Sequence, residues 1–379
     1  MKTEVSDFLF QNRFWKSIVR KEIPVNQWLR TKILGLGLIN FYLFIILTIT
    51  GILLMFYYTP DTERAYQGIK DLEYVVSFGL IFRNMHRYSA YLMLISVFLH
   101  LSRVFYTAEY REPREFNWVT GLVLFLCTGV MAITGYILPW DQKGYWAMTI
   151  TSNVVTSVPV IGEKLKYLIL GGNEVGQNAL VHAYGMHVKI IPLVIGLVMG
   201  AHFWRIRKDD FLAWAIWGGH LDFQEGATPQ TPKGQEQGPS LWKDIIIREL
   251  SKFLLILALV MGISLLFNAP LEEGANPSVT PSPVKAPWFV VGMQELLSWG
   301  APFFFGVLVP NLMIILIILI PYVDRGREGV GVWFHPSRRI ANIIFTAIVT
   351  VYLGLIIIGQ FFRGPGWVFY WPWQSWPGH

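Results

Sequence analysis

"RNMHRYSAYLMLISVFLHLSR", residues 83–103, sets His86 and His100 fourteen positions apart in a stretch otherwise suited to the interior of a bilayer. Imidazole nitrogens require hydrogen-bond or metal partners, and hydrocarbon offers neither. A second stretch, "VHAYGMHVKIIPLVIGLVMGAHFW" (181–204), repeats the pattern with His187 and His202, fifteen apart. At about 1.5 Å rise per residue, both intervals correspond to roughly 21 to 22 Å of helix. In two parallel helices His86 lies level with His187, and His100 with His202, so two cross-helix pairs stack through a membrane.

The rest of the chain supports a membrane setting. Of 379 residues, 53% are hydrophobic and only 15% charged, well below the roughly 25% charged content of a soluble domain. Stretches long enough to cross a bilayer, about 20 residues each, occur at 33–58, 78–105, 118–138, 181–204, 249–268, 300–322 and 338–361. The expected fold is therefore an all-α integral membrane protein with seven transmembrane helices. The start of the chain, through Pro24, lacks the apolar core and cleavage site of a signal peptide, so the first span is expected to be retained. Basic residues collect in the amino terminus (Arg13, Lys16, Arg20, Lys21, Arg30, Lys32) and after the second, fourth and sixth spans. Strict alternation puts all of these on one side, read as the cytoplasmic, negative (n) side; the opposite face is the positive (p) side. The formal charge of +6 is thus topological, and no separate basic patch with interleaved aromatics points to nucleic acid. A single cysteine, Cys127, excludes a disulfide framework, thiolate zinc sites and a Cys-ligated iron–sulfur cluster within the chain.

Between the third and fourth spans, "PWDQKGYWAMTITSNVVTSVPVIGEKLKYLILGG" is too polar and Gly/Pro-punctuated to span, and reads as short interfacial helices on the p side. A polar linker, 216–245, separates a four-helix part (1–215) from a three-helix part (246–379).

Four neutral imidazoles at two depths suit bis-histidine ligation of two b-type haems, because the porphyrin supplies the other four iron ligands. Zinc requires a third or fourth protein ligand at each level. Interhelical hydrogen bonding accounts for one lone histidine, but less well for two matched pairs. His182 stands outside the register and reads as an interfacial histidine. Gly37 and Gly51 on the first span, and Gly121 and Gly135 on the third, are each fourteen apart, the interval of His86 and His100. Such glycines allow a flat macrocycle to approach the helix backbone; ordinary small-residue packing is the alternative. Arg83 and Arg87 on the p side and Arg103 on the n side are candidate partners for haem propionates, or else anchors at the membrane ends.

These residues resemble the cytochrome b family of quinol-oxidising bc complexes. Residues 1–215 look like the four-helix subunit of the bf type, on "FYYTP", "HRYSAYLMLISVFLH", "TGYILPWDQKGYWA" and the fifteen-residue histidine interval; residues 246–379, with "ANPSVTP", resemble its three-helix subunit IV. The resemblance implies a Q cycle coupled to proton translocation. Quinol is oxidised at the p side, with one electron passing to a Rieske iron–sulfur protein and the other through the His86/His187 haem to the His100/His202 haem and an n-side quinone. It further implies a cytochrome c-type subunit, a homodimeric complex, and residence in a bacterial cytoplasmic membrane with the amino terminus inside. Arg207 and Lys208 match basic n-side positions of the family.

Three departures are visible. Gly35 stands where the bf type attaches a further haem through cysteine, so no covalent haem is expected there. The family's Pro-Glu-Trp-Tyr quinol motif corresponds to Ala286, Pro287, Trp288 and Phe289, which keeps only the tryptophan. Glu295, in "GMQELL", is then the candidate proton acceptor, with a surface carboxylate on an interfacial helix as the alternative. The third departure is a tail with four tryptophans, "FFRGPGWVFYWPWQSWPGH", which reads as an interfacial anchor or a partner-docking segment. Two other functions remain open: a dihaem anchor that links the quinone pool to another redox module without bifurcation, and a transporter without redox groups.

Overall fold

The computed structural model describes residues 35–217, 240–326 and 328–375. The amino-terminal cations Arg13 to Lys32, most of the expected linker, and Trp376 lie outside the described residues. The order is α1 (Leu36–Met55), α2 (Ala65–Tyr74), α3 (Gly79–Tyr106), α4 (Glu115–Ile137), α5 (Gln142–Thr156), α6 (Gly162–Leu170), α7 (Gln177–Gly185), α8 (Ile191–Trp217), α9 (Ser240–Leu266), α10 (Val291–Leu297), α11 (Val309–Val323) and α12 (Arg339–Ile357). Seven segments are long and apolar enough to cross a membrane, with α7 and α8 counted as one. Each lies within a few residues of the stretch read from the sequence, because a spanning backbone must satisfy its own hydrogen bonds and helices do so within one segment. The chain is an integral, multi-pass membrane protein.

A π-helical turn, Met186–Ile190, joins α7 to α8. Its cause is local: Pro192 lacks the N–H that an α-helix would direct at Val188, and the backbone takes a wider turn just before it. That turn absorbs one extra residue. The fifteen-residue interval on this span therefore rises about as far as the fourteen-residue interval on α3.

The p-side loops are tied together by "WDQ". Asp141 caps α5 by accepting from the Gly144 N–H at 2.8 Å and also accepts from Glu272 N–H at 3.3 Å. Gln142 receives the Asn276 N–H at 3.0 Å, and Trp140 O receives the Ala275 N–H. Burial raises the Asp141 carboxyl above its usual pKa, against those hydrogen bonds. Asn84 on α3 holds the end of α9 from the side, donating to Ser264 O and accepting from Ala269 N–H. From Gly37 on, the described residues form one compact unit, so the expected boundary near residue 216 divides the sequence rather than the packing.

At the n side, Asp324 accepts from Tyr110, Arg111 and Arg338, and Arg338 also donates to Phe105 O at 2.7 Å. The loops after α3 and α11 thus share one end of the molecule, as the charge pattern requires. Burial opposes ionisation of Asp324, but its hydrogen bonds and the two guanidinium charges prevail and hold it below the usual carboxylate range. Its contribution is then complete at neutral pH and is lost as pH falls below that range. Asp324→Asn should lower the thermal midpoint by several degrees at pH 7, since it strands Arg338, which is 3% exposed; the deficit should shrink on acidification, as followed by thermal unfolding in detergent.

Candidate functional site

The four histidines come together as two pairs. His86 and His187 face each other with ring centroids 6.1 Å apart. Two iron–nitrogen bonds of about 2 Å, plus about 1.1 Å from each nitrogen to its ring centre, give roughly that separation for imidazoles on opposite faces of a haem. His100 and His202 form the second pair, close enough to interact electrostatically.

Each ring also meets one glycine. A Cβ built on Gly51 would lie 3.2 Å from His86 Cε1, on Gly135 2.5 Å from His187 Cε1, on Gly37 3.5 Å from His100 Cε1 and on Gly121 3.3 Å from His202 Cε1. The glycines therefore admit the ligand imidazole itself against the neighbouring helix. This sharpens the expectation, which assigned the space to the macrocycle.

Three threonines set the tautomers, and sequence reasoning missed them. Thr50 donates its hydroxyl to Ile46 O at 2.7 Å, so its oxygen is left to accept from His86 Nδ1 at 2.9 Å. Thr120 does the same between Asn117 O and His202 Nδ1, and Thr134 between Val130 O and His187 Nδ1; Met131 O also accepts from the latter at 3.0 Å. A hydrogen on Nδ1 leaves the Nε2 lone pair for a metal. The visible signal is the dipeptide Thr-Gly at 50–51, 120–121 and 134–135, although the same dipeptide at 128–129 meets no histidine. Leu36 precedes Gly37, and His100 Nδ1 is buried without a hydrogen-bond partner.

The donor set fits two bis-histidine haems. Among the described residues no group of three or more His, Cys, Asp or Glu side chains could hold a bare metal ion, so a zinc reading lacks its ligands. His182 accordingly stays apart, against Leu168 O near the p side at 3.2 Å.

The cations are placed less uniformly than expected. Arg83 is 6% exposed and clamps the loop after α9, with Glu73 at 2.5 Å, Ala269 O at 2.7 Å and Pro270 O at 2.9 Å. Its guanidinium is thereby committed to protein, although its side chain lines the cavity beside His86. Arg87 remains aimed along that cavity, with its guanidinium over the Tyr91 and Tyr136 rings. Arg103 pairs with Glu109 at 2.9 Å, and Arg207 is exposed near the n-side end of α8.

A second p-side cavity, of about 850 Å³, is lined by Trp288, Lys285 and Gln360 and shares Arg87, Tyr91 and Tyr136 with the haem-side cavity. Trp288 packs edge-on to Tyr91, with centroids 5.8 Å apart. Glu295 lines neither cavity. It is 1% exposed, and its carboxylate receives Arg363 through Nε at 2.9 Å and Nη2 at 2.6 Å, Trp367 Nε1 at 3.1 Å and Trp299 Nε1 at 3.3 Å. A carboxylate held by a bidentate guanidinium and two indoles does not fit the expected proton acceptor. Nor does it fit the surface carboxylate that was the alternative.

Residues 21–210, half of the chain, match the sequence model of the family described as Cytochrome b/b6/petB. The chain belongs to the cytochrome b/b6 family. It is 42% identical over 173 residues to cytochrome b6 of Tupiella akineta, covering 46% of this chain and 80% of the relative. For cytochrome b6 of Synechococcus sp. (strain RCC307) the figures are 42% over 173 residues, 46% and 79%. A chain of a solved hyperthermophilic respiratory Complex III shares the fold over 93% of this chain and 91% of its own, with a TM-score of 0.69 and 22% identity. The shared fold thus extends beyond the four-helix part into the C-terminal spans.

Two outcomes follow for this member of the cytochrome b/b6 family. Gly135→Leu should displace His187 and lower the haem bound per chain relative to wild type, as read in the pyridine haemochrome assay. Glu295→Gln and Arg363→Met should each destabilise by about 3 kcal/mol, and the double variant by little more than either alone, because one buried pair is broken in each case; thermal unfolding of the four proteins checks this.

Proposed function

We propose that the chain is the dihaem, quinone-reactive subunit of a quinol:cytochrome c-type oxidoreductase, working with a Rieske iron–sulfur protein and a cytochrome c-type subunit in a dimeric complex. Quinol would be oxidised at the p side and quinone reduced at the n side, coupled to proton translocation. The observation that carries this reading is the stacking of two histidine pairs at different depths, with the Trp288 cavity sharing a wall with the upper pair's cavity. When bound, the haems supply one-electron carriers at the two depths.

The chain's own residues do the rest. His86, His187, His100 and His202 would hold the haem iron, with three of the four rings fixed by threonine. Apolar side chains of α1, α3, α4 and α8 keep water from the ligands. Trp288 and Tyr91 form a rigid aromatic wall against which a quinol ring can stack, and Arg87 places a positive charge between that wall and the upper haem site.

Among the described residues, no carboxylate lines the Trp288 cavity. This observation favours a second reading, a dihaem anchor that passes electrons between quinone and another redox module without bifurcation. The native complex separates the two: a Rieske subunit and sensitivity to p-side quinol-site inhibitors support bifurcation, and the lack of both supports the anchor. In either case the purified chain should show reduced-minus-oxidised b-haem bands, which a transporter without redox groups would not. Trp288→Ala should lower quinol oxidation about tenfold through lost positioning while both haems are retained; a rate unchanged from wild type would remove this cavity from the reaction.

A further inference from the structure

The Trp288 cavity reaches water at its rim, where Lys143 and Gln374 are exposed. Three cations line it, Arg87, Lys143 and Lys285, with no carboxylate among the described residues. The three differ in what they are committed to. Lys143 is paired with Glu272, which offsets its charge. Arg87 belongs to the wall shared with the haem-side cavity; its Nε donates to the Tyr91 hydroxyl at 2.8 Å, and its guanidinium lies over the Tyr91 and Tyr136 rings. Lys285 lines the Trp288 cavity and not the other.

Lys285 precedes Trp288 by three residues in the loop that leads into α10, and its ammonium is fixed by a segment far along the chain. A π-helical turn, Ile358–Phe362, ends the last span, and the carbonyls of a closing turn lack intrahelical partners and carry partial negative charge. One of them, Gln360 O, takes Lys285 Nζ at 2.7 Å, and Gln360 also lines the cavity. The amine is thereby held in the cavity wall. Burial there lowers the Lys285 pKa, because the charge is short of solvent, and an anion in the cavity would offset that cost. A quinone ring projects its oxygens from its edge. With its faces against Trp288 and Tyr91, an oxygen is what a cation of the wall can meet. A carboxylate in such a place would draw off a hydroxyl proton, whereas a cation stabilises the oxygen once the proton has left.

We propose that Lys285 determines which ring the Trp288 cavity prefers, by holding one ring oxygen as an anion: the cavity takes an ionised hydroxyquinone, or the monoanion of a quinol, over a neutral ring of the same shape. On binding in this form the O–H bond breaks with its electron pair left on oxygen, the proton passes to water at the rim, and no oxidation occurs. The inference rests on the reading of this cavity as the quinone site and holds for either electron path given above. The test uses the purified native complex and two probes, an alkylated hydroxynaphthoquinone that is ionised at neutral pH and its methyl ether, which cannot ionise. Binding is counted as the part lost in Trp288→Ala, and the visible absorption of the hydroxynaphthoquinone reports its charge when bound. The ionised probe should bind about tenfold more tightly than the ether, the low end of what a hydrogen bond to a charged group contributes. Lys285→Met should remove this preference by weakening the ionised probe alone, whereas Lys164→Met, exposed on α6 and outside the cavity, should leave it unchanged. Equal binding of the two probes by the wild-type complex, or a preference that survives Lys285→Met, would overturn the assignment and leave the quinone reading of the cavity standing. Binding of both probes unaltered by Trp288→Ala would overturn the inference and that reading together.

Discussion

An imidazole nitrogen left without a partner inside a bilayer is costly, and the arrangement around three of the four histidines follows from that cost. One nitrogen is satisfied within the protein. A threonine on the adjacent helix spends its only proton on its own backbone and so can act solely as acceptor toward the ring. The following glycine removes the Cβ that would keep the ring away. Together they turn the Thr-Gly dipeptide into a socket that orients a neutral histidine with Nε2 outward. Three sockets are complete; the fourth has its glycine and lacks its threonine. The four imidazoles therefore differ in how firmly they are held, and His100 is the least constrained.

The sockets work only if the helices stay level. The π-helical turn before Pro192 takes up the additional residue between His187 and His202, so that one span with a fifteen-residue interval and another with fourteen present their ligands at matching depths. Both ends of the molecule are then secured across the division between the four-helix and three-helix parts. On the p side, Arg83, Asn84 and Asp141 hold the loop that follows α9. On the n side, Asp324 gathers Tyr110, Arg111 and Arg338. These groups sit where the hydrocarbon stops, where charge–charge and hydrogen-bond contacts can be made without the full cost of burial in lipid.

Glu295 shows how far local sequence can mislead about a charged residue. In "GMQELL" it is one carboxylate at the apolar start of a short helix, and nothing nearby in the chain identifies a partner. Its partner, Arg363, lies sixty-eight residues on, in the segment that folds back after α12. The same fold-back brings Trp367 onto the carboxylate, so one of the tail's aromatic residues acts as an internal tie. Trp371 and Trp373 stack on each other with ring planes 11° apart, outside that tie.

The sequence by itself determined the spanning helices, their ends to within a few residues, and the four histidines and four glycines that meet between them. Each of these depends on periodicity or composition within a single helix, where rise and polarity are set by neighbours in the chain. Only the tertiary structure decided which cations are committed to protein, where Glu295 finds its counter-charge, how the Trp288 cavity adjoins the upper histidine pair, and which hydroxyl fixes each imidazole. Those are contacts between segments far apart in the chain, and their distances depend on how the helices pack.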